Sequence, residues 1–298
     1  MLLSDYITQV QELVHDSAGI DYTTVELTNF INNARKRVAL DFHCVRSFFT
    51  GLTTIVGQET YPMTGAIAGA KVVLGGGGFS AAPTLGFPQP PIPANTATGI
   101  AIMSGTVPNQ VISSVAMTNW GSGYLPNQSP SIVITPPNGA VINATYMINV
   151  IDFLSISFLF GVQRTMLQWK PFTLFQAVFR ANLNNIGQPA AWSNYTEANL
   201  FYLYPIPDQN YTLEIDAIVI PNPLVNTTDN DLQIVDPMAD CVEYYAAHLA
   251  LLKAQNFEQA EYYHKKYKGR QMEVQLTRQS RRITNPYQTF WRRLQRGF

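Results

Sequence analysis

Residues 66–147 are almost free of charge, and this feature limits the fold of the chain more than any other. The stretch holds a single charged side chain, Lys71, and its Gly, Pro, Ser, Thr and Asn residues separate short β-branched runs. Such runs between turn-forming residues are typical of short strands. A linker without fixed structure is the alternative, but the regular spacing of the runs argues against it. We therefore predict an inserted all-β module at residues 66–147.

Two parts of this stretch resemble each other. Residues 72–85 align with residues 115–124 followed by 130–134, and each copy reads as strand, glycine turn, aromatic residue, proline and strand. The repeat predicts duplicated hairpins that pack on each other. Its glycine and aromatic pattern also resembles the Gly-Gly-x-Gly-Tyr repeats of phage tail-fibre and decoration proteins.

Two helices are predicted ahead of the uncharged stretch. Apolar residues recur every three or four positions around Ser4, which we assign as the N-cap, and this helix ends near Gly19. Thr23 and Glu26 have the spacing of a capping box, and a second apolar stripe then continues to about Phe42.

Two groups of basic residues accompany the predicted helices. Arg35, Lys36 and Arg37 lie on the polar side of the second helix. A second group lies on the last predicted helix and comprises Lys265, Lys266 and Lys268. A solvated face is the ordinary interpretation of such groups, and a surface that faces a channel or a partner is the alternative.

Residues 148–277 combine strands with helices. Leu200–Tyr204 and residues 211–219 alternate in polarity around a Pro/Asp/Asn loop, which predicts a hairpin. Asp236 then caps a helix with Pro237 at its first position, and another helix begins at Phe257. We assign the chain to the α+β class, as a helical bundle body with a β-sheet and hairpin domain, an inserted all-β module and an extended C-terminal arm. The discontinuous core covers residues 1–65 and 148–277, and the arm covers residues 278–298.

Charge is distributed unevenly along the chain. The net charge is +8 from Lys253 onward and −9 before it. Residues 278–298 hold six arginines, no acidic residue and the aromatic side chains of Tyr287, Phe290, Trp291 and Phe298. This pattern predicts an interaction arm, because the aromatic rings offer apolar area for burial against a partner. A disordered basic tail that aids solubility is the alternative.

The overall composition favours an oligomer. Charged residues make up only 13% of the chain and apolar residues 46%. A surface with so little polar cover is expected to be buried partly between subunits.

The sequence nominates no catalytic, metal or cofactor site. The glycine run at 75–78 lacks the following Lys-Ser/Thr of a phosphate-binding loop, and Gly121-Ser122-Gly123 lacks the frame of a nucleophile elbow. The four histidines and the widely spaced Cys44 and Cys241 show no metal-ligand spacing. No apolar run reaches the length of a membrane span, and no targeting segment is recognised, so we expect no membrane anchoring.

The order of the elements carries a resemblance to a known family. Two N-terminal helices, the Thr60-Tyr61-Pro62 strand end, the turn at 187–192, the segment 203–208, Pro221-Asn222-Pro223-Leu224 and Asp236-Pro237 follow one another. In this order they are similar to head-to-tail adaptor (connector) proteins of short-tailed bacteriophages. The resemblance covers about residues 1–62 and 148–276, and the stretch at 66–147 departs from it.

The resemblance implies a homo-oligomeric ring of twelve subunits in the virion, at the head-to-tail interface, assembled in the host cytoplasm. Such a ring docks under the portal protein, extends the channel for DNA ejection and offers a platform for tail nozzle or tail-fibre proteins. Genomic DNA is then a partner only in transit. The resemblance assigns portal docking to the arm, with Arg278, Arg281, Arg282, Tyr287, Phe290, Trp291, Arg292, Arg293, Arg296 and Phe298. It assigns the channel or the subunit interface to Arg35, Lys36, Arg37, Lys265, Lys266 and Lys268. We assign contacts with tail or fibre proteins to Phe79, Trp120 and Tyr124.

Two other functions stay open at this point. A nucleic-acid-binding protein would use the arginines of the arm for phosphates and its aromatic rings for stacking. A peptidoglycan hydrolase would need a pair of carboxylates, whose pairing is spatial and leaves no mark in the sequence.

Overall fold

The computed structural model describes residues 1–91, 94–126, 128–161, 163–181 and 185–280. It divides into two compact units. The first comprises Met1–Val45 and the described residues from Ile220 onward, and the second comprises Arg46–Val219. The predicted division into a core and an insert at 66–147 stays a prediction.

The helices of the described residues are α1 (Leu3–Leu13), α2 (Thr24–Phe42), α3 (Phe172–Leu174), α4 (Ala239–Lys253) and α5 (Phe257–Ser280). The strands are β1 (Arg46–Thr53), β2 (Thr60–Pro62), β3 (Ala66–Gly75), β4 (Thr84–Gly86), β5 (Thr98–Ser104), β6 (Val111–Asn119), β7 (Ser131–Thr135), β8 (Ala140–Met147), β9 (Val150–Phe160), β10 (Gln163–Met166), β11 (Gln168–Trp169), β12 (Ile186–Gly187), β13 (Ala191–Tyr195), β14 (Leu200–Tyr204), β15 (Ile206–Pro207) and β16 (Thr212–Val219). A short π-helix, Phe175–Phe179, follows α3.

The first unit contains the four long helices. The predicted capping box of α2 is confirmed, because the Thr23 hydroxyl accepts the Glu26 N–H at 3.3 Å and the Glu26 carboxylate accepts the Thr23 N–H at 3.1 Å. The N-cap of α1 is Leu2 and not Ser4, and the Asp5 carboxylate accepts the Leu2 N–H. The helix behind Asp236-Pro237 begins two residues later than predicted, at Ala239.

The predicted helical bundle body is wrong for the chain as a whole. More of the described residues lie in strands than in helices. An eight-stranded sheet runs in the order β10-β9-β16-β1-β3-β8-β7-β4, and all its pairs are antiparallel. A smaller sheet has the order β11-β13-β14-β2. The sequence indicates single strands but not which distant strands pair with them. The extent of this sheet could therefore not be predicted from the sequence.

The predicted hairpin around residue 208 is also wrong, although both of its strands exist. β14 pairs with β13 and β2 in the smaller sheet, whereas β16 pairs with β1 and β9 in the larger one. β14 therefore forms a hairpin with the preceding β13, whereas both partners of β16 lie far away in sequence. Both strands are mostly buried, and local alternation does not reveal which neighbours bury them.

The two copies of the repeat contact each other, as predicted, but neither copy forms a hairpin of its own. β4 of the first copy pairs with β7 of the second, with Leu85 opposite Ile134. β3 also lies close to β6. A Cβ built at Gly75 of β3 would be only 2.7 Å from the Ile112 carbonyl oxygen of β6.

One close approach joins the two halves of the large sheet. β1 and β3 meet at Leu52 and Gly69. A Cβ on Gly69 would lie 2.0 Å from the carbonyl oxygen of Gly51, so only glycine permits the backbones to come so near.

Candidate interaction surfaces

A buried ion pair anchors the segment that precedes α4. The Arg35 guanidinium donates to both carboxylate oxygens of Asp231, each at 2.8 Å, and also donates to the Asn222 carbonyl at 2.6 Å. Asp231 in turn accepts the N–H groups of Gln233 and Ile234 at 3.1 Å. Arg35 is 1% exposed, so the structure places this predicted interface residue in the interior of the first unit.

Tyr6 lies beside this ion pair, and its pKa is affected by the Asp231 carboxylate. The Tyr6 hydroxyl is 3.4 Å from Asp231. Burial, together with the nearby Asp231 carboxylate, raises the pKa of Tyr6 above its ordinary value. The ring therefore stays neutral and acts as a hydrogen-bond donor next to the pair.

Asp41 brings together two of the predicted basic residues. The carboxylate pairs with Arg37 at 3.2 Å and with Lys268 at 3.6 Å, and it accepts the Tyr267 hydroxyl at 2.7 Å. These contacts tie α2 to α5. Lys36, the neighbour of Arg37, is exposed.

Lys265 and Lys266 line a groove of about 700 Å³ between α4 and α5. Lys265 pairs with Glu261 at 3.0 Å on the surface, and the Lys266 ammonium lies 5.5 Å from the Tyr262 ring centre. Arg270 crosses the groove to Asp240 at 2.8 Å. The groove therefore carries both signs of charge.

Most of the predicted portal-docking arm lies outside the described residues. Arg278 falls within the backbone of α5, but its side chain is not described. The other arm residues also lie outside them: Arg281, Arg282, Tyr287, Phe290, Trp291, Arg292, Arg293, Arg296 and Phe298.

The three predicted tail-contact residues are buried in the second unit. Trp120 packs on Tyr61 and Phe201, with ring centres 4.8 and 5.9 Å apart, and its indole N–H donates to the Thr53 carbonyl at 2.9 Å. The Tyr124 hydroxyl donates to the Pro88 carbonyl, and Phe79 is likewise buried. Their contacts in the chain are therefore internal.

The sequence did not reveal a row of exposed apolar side chains on the large sheet. Leu74 and Val141 face each other on β3 and β8, and Val133 lies on the adjoining β7. All three side chains are exposed. The alternating runs contained them, but only strand pairing shows that they lie side by side.

The sequence analysis also did not identify a cluster of acidic residues on the first unit. Asp236, Asp240 and Glu243 line one hollow beside α4. Burial, with the Asp240 and Asp236 carboxylates nearby, raises the pKa of Glu243 to about 7. Asp240 and Glu243 are three residues apart on α4, and this spacing was a visible signal that they share a helix face.

His248 and His264 come together on the facing sides of α4 and α5. Their ring centres are 4.9 Å apart, and the Nδ1 atom of His248 lies 2.8 Å from the Ala260 carbonyl oxygen. Burial and the neighbouring His248 lower the pKa of His264. In the described part of the chain, no three His, Cys, Asp or Glu side chains gather as a metal site would require.

None of the described helices is both long and apolar enough to cross a membrane.

The comparison with known families identifies the chain. A family model described as SU10 adaptor protein matches residues 140–290, slightly more than half of the chain. This family consists of structural bacteriophage adaptors, which are virion components and not a class of enzymes. The chain belongs to the SU10 adaptor family. No curated protein matches it.

Proposed function

We propose that the chain forms the adaptor ring between the portal and the tail of a short-tailed phage. The match to the SU10 adaptor family over residues 140–290 carries this proposal. In it, twelve copies dock beneath the portal at the head-to-tail interface after assembly in the host cytoplasm. The ring extends the channel through which DNA leaves the head and supports the tail nozzle or fibres.

The C-terminal arm, residues 278–298, binds the portal in this proposal. Its six arginines can form bidentate pairs with acidic groups, and its four aromatic rings can fill pockets. α5 runs to Ser280 and so leads directly into the arm. Ordering each arm costs entropy, but repetition around a closed ring multiplies weak contacts into a stable attachment.

The exposed cations of α2 and α5 face the channel or the neighbouring subunit in this proposal. Lys36 and Lys266 have no carboxylate partner among the described contacts, whereas Lys265 pairs with Glu261 on the surface. Arg37 and Lys268 already share Asp41, so they have less charge to offer a partner. Arg35 is committed to Asp231.

Residues 66–147 contact tail or fibre proteins in this proposal. Phe79, Trp120 and Tyr124 support the module from inside, while Leu74, Val133 and Val141 offer the exposed apolar surface. An apolar row on a sheet with so little charge suits a protein contact.

Truncation after Thr277 tests the portal contact. The shortened chain is expected to keep its far-UV circular dichroism but to lose binding to purified portal rings, as observed by electron microscopy of the mixture. Replacing Tyr287, Phe290 and Trp291 with Ala should weaken binding while the arm charge is retained. Retained binding by the truncated chain would exclude the arm as the portal contact.

A second experiment separates the adaptor from the nucleic-acid alternative. The full chain is mixed with duplex DNA without portal protein, at physiological salt, in a gel-shift assay. We expect weak binding that does not depend on the three aromatic residues. Tight binding that is lost with the triple Ala variant would favour a nucleic-acid-binding protein, and clearing of purified peptidoglycan by the chain would favour a hydrolase.

Triple substitution of Leu74, Val133 and Val141 with Lys tests the tail contact. These side chains are exposed, so the fold should survive, while particles should lose tail components. The matched control places lysines at Ile20, Val25 and Leu232, which are exposed on the first unit. Complete tails on particles of the first variant would contradict this assignment.

A further inference from the structure

One continuous segment, residues 163–169, forms the outer edge of two sheets. β10 is the last strand of the eight-stranded sheet, and β11 is the last strand of the smaller sheet. Leu167, between them, is buried and donates its N–H to the Ile156 carbonyl at 2.8 Å. The other six residues are exposed.

The backbone of this segment points hydrogen-bonding groups outward. Gln168 and Lys170 donate their N–H groups to the carbonyls of Ala190 and Trp192, each at 2.9 Å. Because successive groups of a strand alternate in direction, the N–H of Trp169 points to the open side. An open edge of this kind is a template for a further strand.

The edge lacks the usual protection against strand addition. The opposite edges of the two sheets carry prolines at or soon after the ends of their strands, Pro62 in β2 and Pro88 behind β4. Residues 163–169 contain neither Pro nor Gly, and their single charge, Arg164, is held by Glu214 at 2.9 Å. Prolines and free charges are two of the devices that block pairing, and this edge has neither, so it is open to a further strand.

The side chains along the edge offer apolar contact. Met166 is 67% exposed and Trp169 is 53% exposed. The indole N–H of Trp169 donates to the Asn194 side chain at 3.1 Å, which fixes the ring in place. Leu174 and Val178, one helical turn apart on the neighbouring helical segment, are exposed as well.

The same chain carries a strand that fits this edge. β5 spans seven residues, as does the segment 163–169, and β5 pairs only with β6 among the described strands. Its outer face presents Ile100 and Ile102, which are 59% and 46% exposed, and residues 98–119 hold no charge. A two-stranded sheet is marginally stable, so it gains from a third strand.

We propose that β5 of one subunit adds to the 163–169 edge of the next subunit. The two surfaces differ, so the contact is heterologous and can repeat head to tail until a ring closes. This inference rests on the ring of the proposed function, to which it adds the residues of the subunit contact. The pairing would also bury exposed apolar side chains of a chain that has few charges, such as Ile100, Ile102 and Met166.

Photo-crosslinking in assembled particles tests the pairing. A benzoylphenylalanine placed at Met166 is expected to join two copies of the chain, and peptide mapping should locate the adduct within residues 98–119. The same probe at Val133, exposed on another strand, should not yield that adduct. An adduct with a different virion protein, an adduct between the two 163–169 segments, or no adduct in particles that contain the chain would overturn the proposal.

A second variant gives an independent measure. Ile102→Lys is expected to leave the circular dichroism unchanged and to lower the number of adaptor copies per particle at least tenfold. Unchanged copy number would contradict the pairing. If the chain lies elsewhere in the virion but Met166 still reaches residues 98–119 of another copy, the pairing stands and the proposed function fails.

Discussion

Arg35 and Asp231 form a bidentate ion pair in the interior of the first unit, with both N···O distances at 2.8 Å. Their side chains are 2% and 0% exposed. The pair fixes the segment before α4 to α2, because Arg35 also holds the Asn222 carbonyl and Asp231 holds the N–H groups of Gln233 and Ile234. It organises the loop more than it adds stability, since desolvation offsets much of the attraction in a buried pair.

Substitution of Arg35 with Ala is expected to destabilise the chain by about 3–5 kcal/mol, because Asp231 would remain buried without its partner. Urea unfolding followed by circular dichroism measures the change. Arg37→Ala is the control, and its exposed pair with Asp41 should cost no more than about 1 kcal/mol. Equal effects of the two substitutions would show that burial of the Arg35 pair carries no special weight.

Substitution of Gly69 with Ala is expected to cost about 3 kcal/mol or more, because its methyl group would collide with the Gly51 carbonyl. The damage should appear in the second unit, where β1 and β3 meet. Gly77→Ala is the matched control, since a Cβ there meets no atom within 4 Å. The thermal midpoints of the two variants should therefore differ widely, and similar midpoints would refute the close approach.

Substitution of Trp120 with Ala should cost about 3–5 kcal/mol through the cavity left beside Tyr61 and Phe201. The half-exposed Trp169 offers a comparison, and its replacement by Ala should cost about 1 kcal/mol or less. Chemical denaturation of both variants measures the contrast. A small loss at Trp120 would argue against its placement in the core.

Glu243 makes stability depend on pH. Its pKa is raised from 4.5 to about 7 by burial and by Asp240 and Asp236, so the folded chain holds a proton that the unfolded chain releases. The free energy of unfolding should therefore be highest below about pH 4.5 for this group and fall as the pH rises to about 7. The side chain is partly exposed, which limits the effect to about 1–2 kcal/mol.

Glu243→Gln should flatten this pH dependence, because the amide does not titrate. Denaturation midpoints at pH 5 and pH 7 measure it, with Glu258→Gln on the exposed start of α5 as the control. If the stability of Glu243→Gln still falls between pH 5 and pH 7, the pH dependence belongs to another group.

Local signals in the sequence predicted local structure well. The spacing of Thr23 and Glu26 predicted the capping box of α2, and the start of α5 at Phe257 was also foreseen. Both features depend on residues within a few positions of each other. The order of elements further indicated a phage adaptor, and the family match confirms that class.

The candidate surfaces were less predictable, because exposure is a property of the folded chain. Arg35 belongs to the same basic triplet as Lys36 and Arg37, yet it is buried and they are not. Its partner is distant in sequence, at Asp231. The aromatic residues of the glycine-rich repeat, such as Trp120, similarly turned out to be internal.

The sequence by itself determined the capping box of α2, the strands at Leu200–Tyr204 and Thr212–Val219 and the membership of an adaptor family, since each depends on residue order or short spacing. Tertiary structure alone decided that β14 and β16 belong to different sheets, that Gly69 joins two halves of one sheet, and that residues 163–169 remain an open edge. Strand pairing is chosen by burial and register between distant segments, and a single strand does not specify its neighbour.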